Sequence, residues 1–180
     1  MKKFSFCKNC SLIDKPIVHG QKGSRDDVVL IGEAPGRDEV EEGCPFVGRA
    51  GKLLGRILSD LGYNKKDFYI SNSCICHPID ENGNNRKPSL SEISCCNDRL
   101  LRSIEKISPR VVISLGAVAL FSLTDIEPLD KIVMSKYVGK VLDSKNGYKV
   151  FCMYHPAFIL RNNNFEDIFK RHLGKVLSRL

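Results

Sequence analysis

No run of apolar residues in this 180-residue chain approaches the roughly 20 needed to cross a bilayer, so no membrane-spanning helix is expected. The start, Met1-Lys2-Lys3-Phe4-Ser5-Phe6-Cys7, has basic residues but no apolar stretch behind them, so no export signal is expected and the chain reads as soluble and cytoplasmic. No internal repeat or low-complexity tract occurs, which excludes solenoids and disordered tails. Neither G-x-x-x-x-G-K-[ST] nor G-x-G-x-x-G is present, and no carboxylate pair suggests a catalytic metal, so the usual nucleotide-binding loops are excluded. What remains is an ordinary globular composition, 42% hydrophobic and 27% charged, of a size for one domain over 1–180.

Two features stand out. The 28 Lys and Arg against 21 Asp and Glu leave a net charge of +7, compatible with a polyanionic partner but equally with a solvated basic surface. The eight cysteines fall into groups: Cys7 and Cys10 as C-x-x-C, then Cys74 with Cys76, then Cys95 with Cys96. Without an export signal disulfides are disfavoured, and grouped thiols point to a metal or cluster site. Cys44 and Cys152 stand apart and read as buried core thiols.

Val28–Ile31, Asp67–Asn72, Val111–Leu115 and Val150–Tyr154 read as strands. Ala50–Leu61, Ser89–Ile107, Ala117–Leu123 and Phe165–Leu180 read as helices, the second opened by the capping box Ser89/Glu92 and the last capped by Asn164. The segment 125–147 reads as irregular or a hairpin. Alternating strand and helix predicts an α/β fold, a three-layer α/β/α sandwich around a mostly parallel four-stranded sheet. In such sheets ligands bind at the carboxyl ends of the strands, where the loops from Gly32, Asn72 and His155 emerge.

The most specific segment runs Gly32-Glu33-Ala34-Pro35-Gly36-Arg37-Asp38-Glu39 and on to Pro45-Phe46-Val47-Gly48-Arg49-Ala50-Gly51. It sets a carboxylate two residues past a buried strand, and Glu33 would repel a phosphate from a backbone nest there. Taken singly, Phe46 could be core, Asn72 a turn cap, His155 a structural histidine and Glu33 a solvated loop residue. With Tyr69-Ile70-Ser71-Asn72, with Tyr154-His155-Pro156-Ala157-Phe158-Ile159-Leu160-Arg161-Asn162 and with the order of cysteines, the segment closely resembles the family 4 uracil-DNA glycosylases, iron–sulfur enzymes of bacteria and archaea. The likeness covers nearly the whole chain. Val40, Cys44 and Ala157 depart from residues common in the pattern.

The resemblance implies that uracil is flipped from DNA into a pocket and cut from its sugar. It implies that Phe46 stacks on the base, that Asn72 pairs with its O4 and N3–H, and that Ala34 lines its site. His155 would donate to uracil O2, Glu33 would position or activate water near the sugar, and Glu39 would sit near C5. Leu160 and Arg161 would press into the groove of single- or double-stranded DNA. The family's [4Fe–4S] site maps to Cys7, Cys10, Cys76 and Cys96; Cys95 is a neighbouring candidate, and tetrahedral zinc would satisfy the same thiolates. A monomer is expected. The competing classes are a non-catalytic nucleic-acid-binding module built on a four-cysteine zinc site, and a nucleotide-binding α/β domain with a different reaction.

Overall fold

The computed structural model describes residue 7, residues 9–25 and residues 27–179; the basic start and the end of the expected last helix at Leu180 lie outside the described residues. Strands β1 (Val28–Gly32), β2 (Tyr69–Asn72) and β3 (Val111–Leu115) are short β-branched or apolar runs, almost wholly buried, as expected of strands covered on both faces. With β5 (Lys149–Met153) they form a parallel sheet, and β4 (Val141–Asp143) adds to β5 antiparallel, giving the order β2-β1-β3-β5-β4.

The sheet therefore has five strands where four were expected. The fifth lies in the segment 125–147 and was illegible because it is three residues long with its outer face in water. The turn back to β5 is closed locally: Gly147 takes φ 84°, and Ser144 Oγ accepts from Tyr148 N at 2.9 Å.

Side-chain alternation along the strands sorts the core into two halves. Val28, Leu30, Ile113 and Phe151 face α2 (Arg49–Asp60) and α6 (Glu166–Leu177). Val29, Ile31, Val112 and Val150 face α3 (Leu90–Ile107) and α4 (Ala117–Leu123). The result is the expected three-layer α/β/α arrangement. Strand order reverses at β1, with β2 on one side and β3 on the other, and a crevice opens beyond the strand ends at such a switch.

Two short helices shape that crevice: α1 (Arg37–Glu42), inside the loop after β1, and α5 (Pro156–Arg161), directly after β5. A stack of Tyr154 on Phe158, centroids 4.6 Å apart, with Phe165 edge-on to both, holds α5 against the domain. The capping box at Ser89 forms as expected, with Ser89 N donating to Glu92 Oε2 at 2.7 Å. Asn164 does not cap the last helix: a 3-10 turn, Asn163–Phe165, feeds α6 directly and satisfies Phe165 N from Asn162 O.

Candidate active site

A cleft of about 470 Å³ sits at the carboxyl ends of β1, β2 and β5. Its walls include Ala34, Glu39, Phe46, Asn72 and His155, with Leu160 and Arg161 at its edge on α5. These seven come from four separate stretches of sequence and were all expected to meet at one site. Glu33 stands beside the cleft rather than on its wall, although the field of Arg161 reaches its carboxylate.

The floor is built by a strained turn. Phe46 is buried and holds φ at 57°, a conformation a bulky side chain adopts only when its surroundings impose it. Lys65 Nζ donates to the Phe46 carbonyl at 2.7 Å. Gly51 leaves room beneath it, since a Cβ there would lie 1.8 Å from that oxygen. Gly32 serves the ring face, where a Cβ would stand 2.5 Å from both the Phe46 ring and Asn72 Oδ1. The glycine at the end of β1 is thus what allows the Phe46 ring and the Asn72 side chain to close on the end of the strand.

Glu39 has a structural duty that sequence did not reveal. Its Oε2 accepts from Gly36 N and its Oε1 from Gly48 N, each at 3.0 Å, so one carboxylate pins both ends of the loop that carries Phe46.

His155 caps α5, with its Nδ1 accepting from Ala157 N at 3.1 Å. That bond leaves the proton on Nε2. Burial, with Arg161 nearby, pushes the imidazole pKa down to about 4, so the ring is neutral and still a donor. It lies 5.9 Å from the Phe46 ring, centroid to centroid. Burial pushes the Glu33 carboxyl up from its ordinary value, against the opposing fields of Lys87 and Arg161. An imidazole donor that carries no charge, and a carboxylate held close to cations, is the arrangement needed to stabilise an anion on one side of a bond and a cation on the other.

A model of the uracil DNA glycosylase superfamily matches residues 19–179. The chain belongs to the uracil-DNA glycosylase superfamily. Among its relatives, the type-4 uracil-DNA glycosylase of Archaeoglobus fulgidus is 34% identical over 98% of this chain and 89% of its own length. That of Thermotoga maritima is 39% identical over 83% and 74%, and that of Saccharolobus solfataricus 37% identical over 97% and 82%.

The superfamily's cleft here includes residues that the sequence reading passed over. Asn85 lines it from the polar loop after Pro78, and His77 hydrogen-bonds to Asn85 Oδ1 at 2.7 Å. Lys87, on the same loop, acts on Glu33. The run Asn84-Asn85-Arg86-Lys87-Pro88 was the available signal, masked by the general polarity of the loop.

The four-cysteine site implied by the type-4 likeness can be tested on its donor set. The N-terminal segment docks along the chain after β2, with Val18 N donating to Ile75 O at 2.8 Å and Ile17 bridging Cys76. This brings Cys7 and Cys10 to Cys76, whose thiol is pushed up to about 12 by burial and then by Cys96, Cys10 and Cys7. Cys96 shares a hydrogen bond with Cys74, which lowers Cys96 and raises Cys74. Cys95 packs with Cys10 and Cys76 instead. Among the described residues no three His, Cys, Asp or Glu side chains are spaced to hold a single metal ion. The grouped thiolates are donors that either an iron–sulfur cluster or a tetrahedral zinc would accept. Cys152 is buried as expected, but Cys44 is only half buried and accepts from Gln21 Nε2. It sits in the loop after α1, at the surface rather than in the core.

Proposed function

We propose that the protein is a DNA repair enzyme that flips uracil out of DNA and hydrolyses its N-glycosidic bond, leaving an abasic site. The observation that carries this reading is the convergence of Phe46, Asn72 and a neutral, Nε2-protonated His155 on one cleft of base-binding size. Type-4 uracil-DNA glycosylases matched along most of the chain support it.

In this reading Phe46 stacks on uracil while the Asn72 amide accepts from N3–H and donates to O4. Cytosine presents the opposite pattern at those positions, and an unpaired buried amide costs about 1–3 kcal/mol. As the bond between C1′ and N1 breaks, its electron pair leaves with the base. His155 Nε2–H donates to O2 and stabilises that anion, and a preorganised donor of this kind contributes about 3–4 kcal/mol. Glu33 favours the cationic sugar and orients the water that adds to C1′, taking up its proton. Leu160 and Arg161 enter the groove and hold the strand open. Glu39 keeps the Phe46 loop closed toward C5 of the base.

Cys7, Cys10, Cys76 and Cys96 would hold a [4Fe–4S] cluster, which would tie the N-terminal segment to the rest of the chain and take no part in the hydrolysis. The substrate is uracil-containing DNA, single- or double-stranded, acted on by a monomer in the cytoplasm.

The test is alkali-revealed scission of a labelled oligonucleotide with one uracil, set against a thymine control. Wild type is expected to cut at uracil alone, and His155→Ala to lose about 10²–10³ in rate. A wild-type protein with its iron bound that leaves uracil in place would refute the reading.

A further inference from the structure

Arg99, on α3, is 7% exposed and lies between the cysteine groups and the base-reading end of β2. Its Nη2 donates to the carbonyls of Asn72 and Ser73, each at 3.0 Å. Both acceptors are neutral. Its buried Nε–H has no hydrogen-bond partner by geometry among the described residues, with the Cys96 thiol the strongest acidic influence. The acidic groups acting on it are, largest first, the Cys96 thiol, the Tyr69 hydroxyl and the thiols of Cys74 and Cys76. Glu92, the buried carboxylate on the same helix, is already occupied by Arg86, Ser11 and the Ser89 amide.

A buried guanidinium without a nearby anion is a large electrostatic cost, and such a charge persists when something negative balances it. The groups placed to do so are thiols. Four thiolates around a cluster would bring a net negative charge to this spot, one helical turn before Arg99. The same side chain then grips the backbone of the residue that reads the base, since one planar guanidinium nitrogen, Nη2, donates to two successive carbonyls and so fixes the direction in which β2 ends.

We propose that Arg99 is the buried counter-charge of the four-cysteine site and a positioning residue for Asn72, coupling occupancy of that site to recognition of the base. The inference rests on the glycosylase reading and on the four-cysteine site proposed with it.

Two variants of the holoprotein separate the roles. R99K keeps the charge but not the planar fork, and R99Q keeps an amide donor without charge. Three quantities are read: iron bound per chain, the reduction midpoint of the bound cluster, and kcat and KM on a single-uracil oligonucleotide. Loss of the nearby positive charge is expected to move the midpoint of R99Q to a more negative value and to lower its iron content, with R99K close to wild type. KM is expected to rise about tenfold in R99K, the loss of one charged hydrogen bond, with a smaller change in kcat. An R99Q with wild-type midpoint and iron overturns the charge pairing, as does equal loss of iron from both variants. An unchanged KM in R99K overturns the positioning of Asn72. Wild type that binds no iron overturns the pairing through the four-cysteine reading. Wild type that binds iron but releases no uracil overturns the recognition half and the glycosylase reading, while midpoint and iron still report on the charge.

Discussion

At the scale of single residues, the chemistry depends on protonation states set by burial. Glu33 has its pKa raised above the ordinary 4.5, so its charge disappears at a higher pH than that of a solvated carboxylate. His155 stays neutral down to about 4. The rate of base release is therefore expected to fall, on acidification, through a pKa above 4.5 belonging to Glu33 rather than to the histidine. A pH profile of kcat checks this: in Glu33→Gln the rate drops and that acidic limb vanishes, whereas a limb unchanged in the variant removes Glu33 from the role. Gly32→Ala probes the cleft itself. Its new Cβ would collide with the Phe46 ring and Asn72 Oδ1, so KM is expected to rise by about tenfold or more with circular dichroism unchanged.

At the scale of elements, the start of α3 is a fastening point. Glu92, 1% exposed, accepts from Arg86 Nη2 at 2.6 Å and Nη1 at 2.8 Å, from Ser11 Oγ and from Ser89 N. One carboxylate therefore joins the N-terminal segment, the loop that carries Asn85 and the helix. Arg86, first, and Ser11 hold its pKa down at about 2. Because the folded pKa is depressed, this stabilisation is present above the ordinary 4.5 and is lost as pH falls through about 2. Glu92→Gln is expected to cost about 1.5–3 kcal/mol at neutral pH, with the deficit against wild type shrinking as the pH drops below 4.5. Urea unfolding at several pH values measures both; a deficit independent of pH would show that the charge is irrelevant.

At the scale of the whole molecule, the chain carries a net charge of +7, and Arg161 on α5 sets one positive charge at the cleft. Uracil release is expected to weaken steeply with salt, through counterion release at phosphates. Arg161→Gln should lower the slope of log(kcat/KM) against log salt by about 1. The N-terminal segment is held by few backbone bonds, chiefly Val18 to Ile75 and Gln21 to Ile70, and by Ser11 to Glu92. Removal of the proposed cluster is therefore expected to open this segment first, with limited proteolysis clipping before residue 21 while the sheet remains intact. Uniform digestion of the stripped protein would argue that the site supports the entire fold.

Strands β1 and β3, helices α2 and α4 and the capping box of α3 were legible in the sequence because each is specified by local pattern: unbroken β-branched runs, helical apolar spacing, a serine three residues before a glutamate. Phe46, Asn72 and His155 were singled out differently, by the resemblance of three motifs to a known family; taken one at a time, local pattern left each with an ordinary structural reading. What local pattern does not encode is what faces what. Strand β4 exists because β5 offers an edge. Glu39 clamps a loop because Gly36 and Gly48 fold toward it. Cys95 and Cys96, adjacent in sequence, point about 100° apart on one helix, and only packing against Cys10 or Cys74 tells them apart. Arg99 shows no motif at all. The sequence by itself determined the layers, the strand order's building blocks and the chemical groups available. The tertiary structure decided their protonation, their partners and the one carboxylate and one guanidinium that fasten the site, because burial and charge pairing arise between segments far apart in the chain.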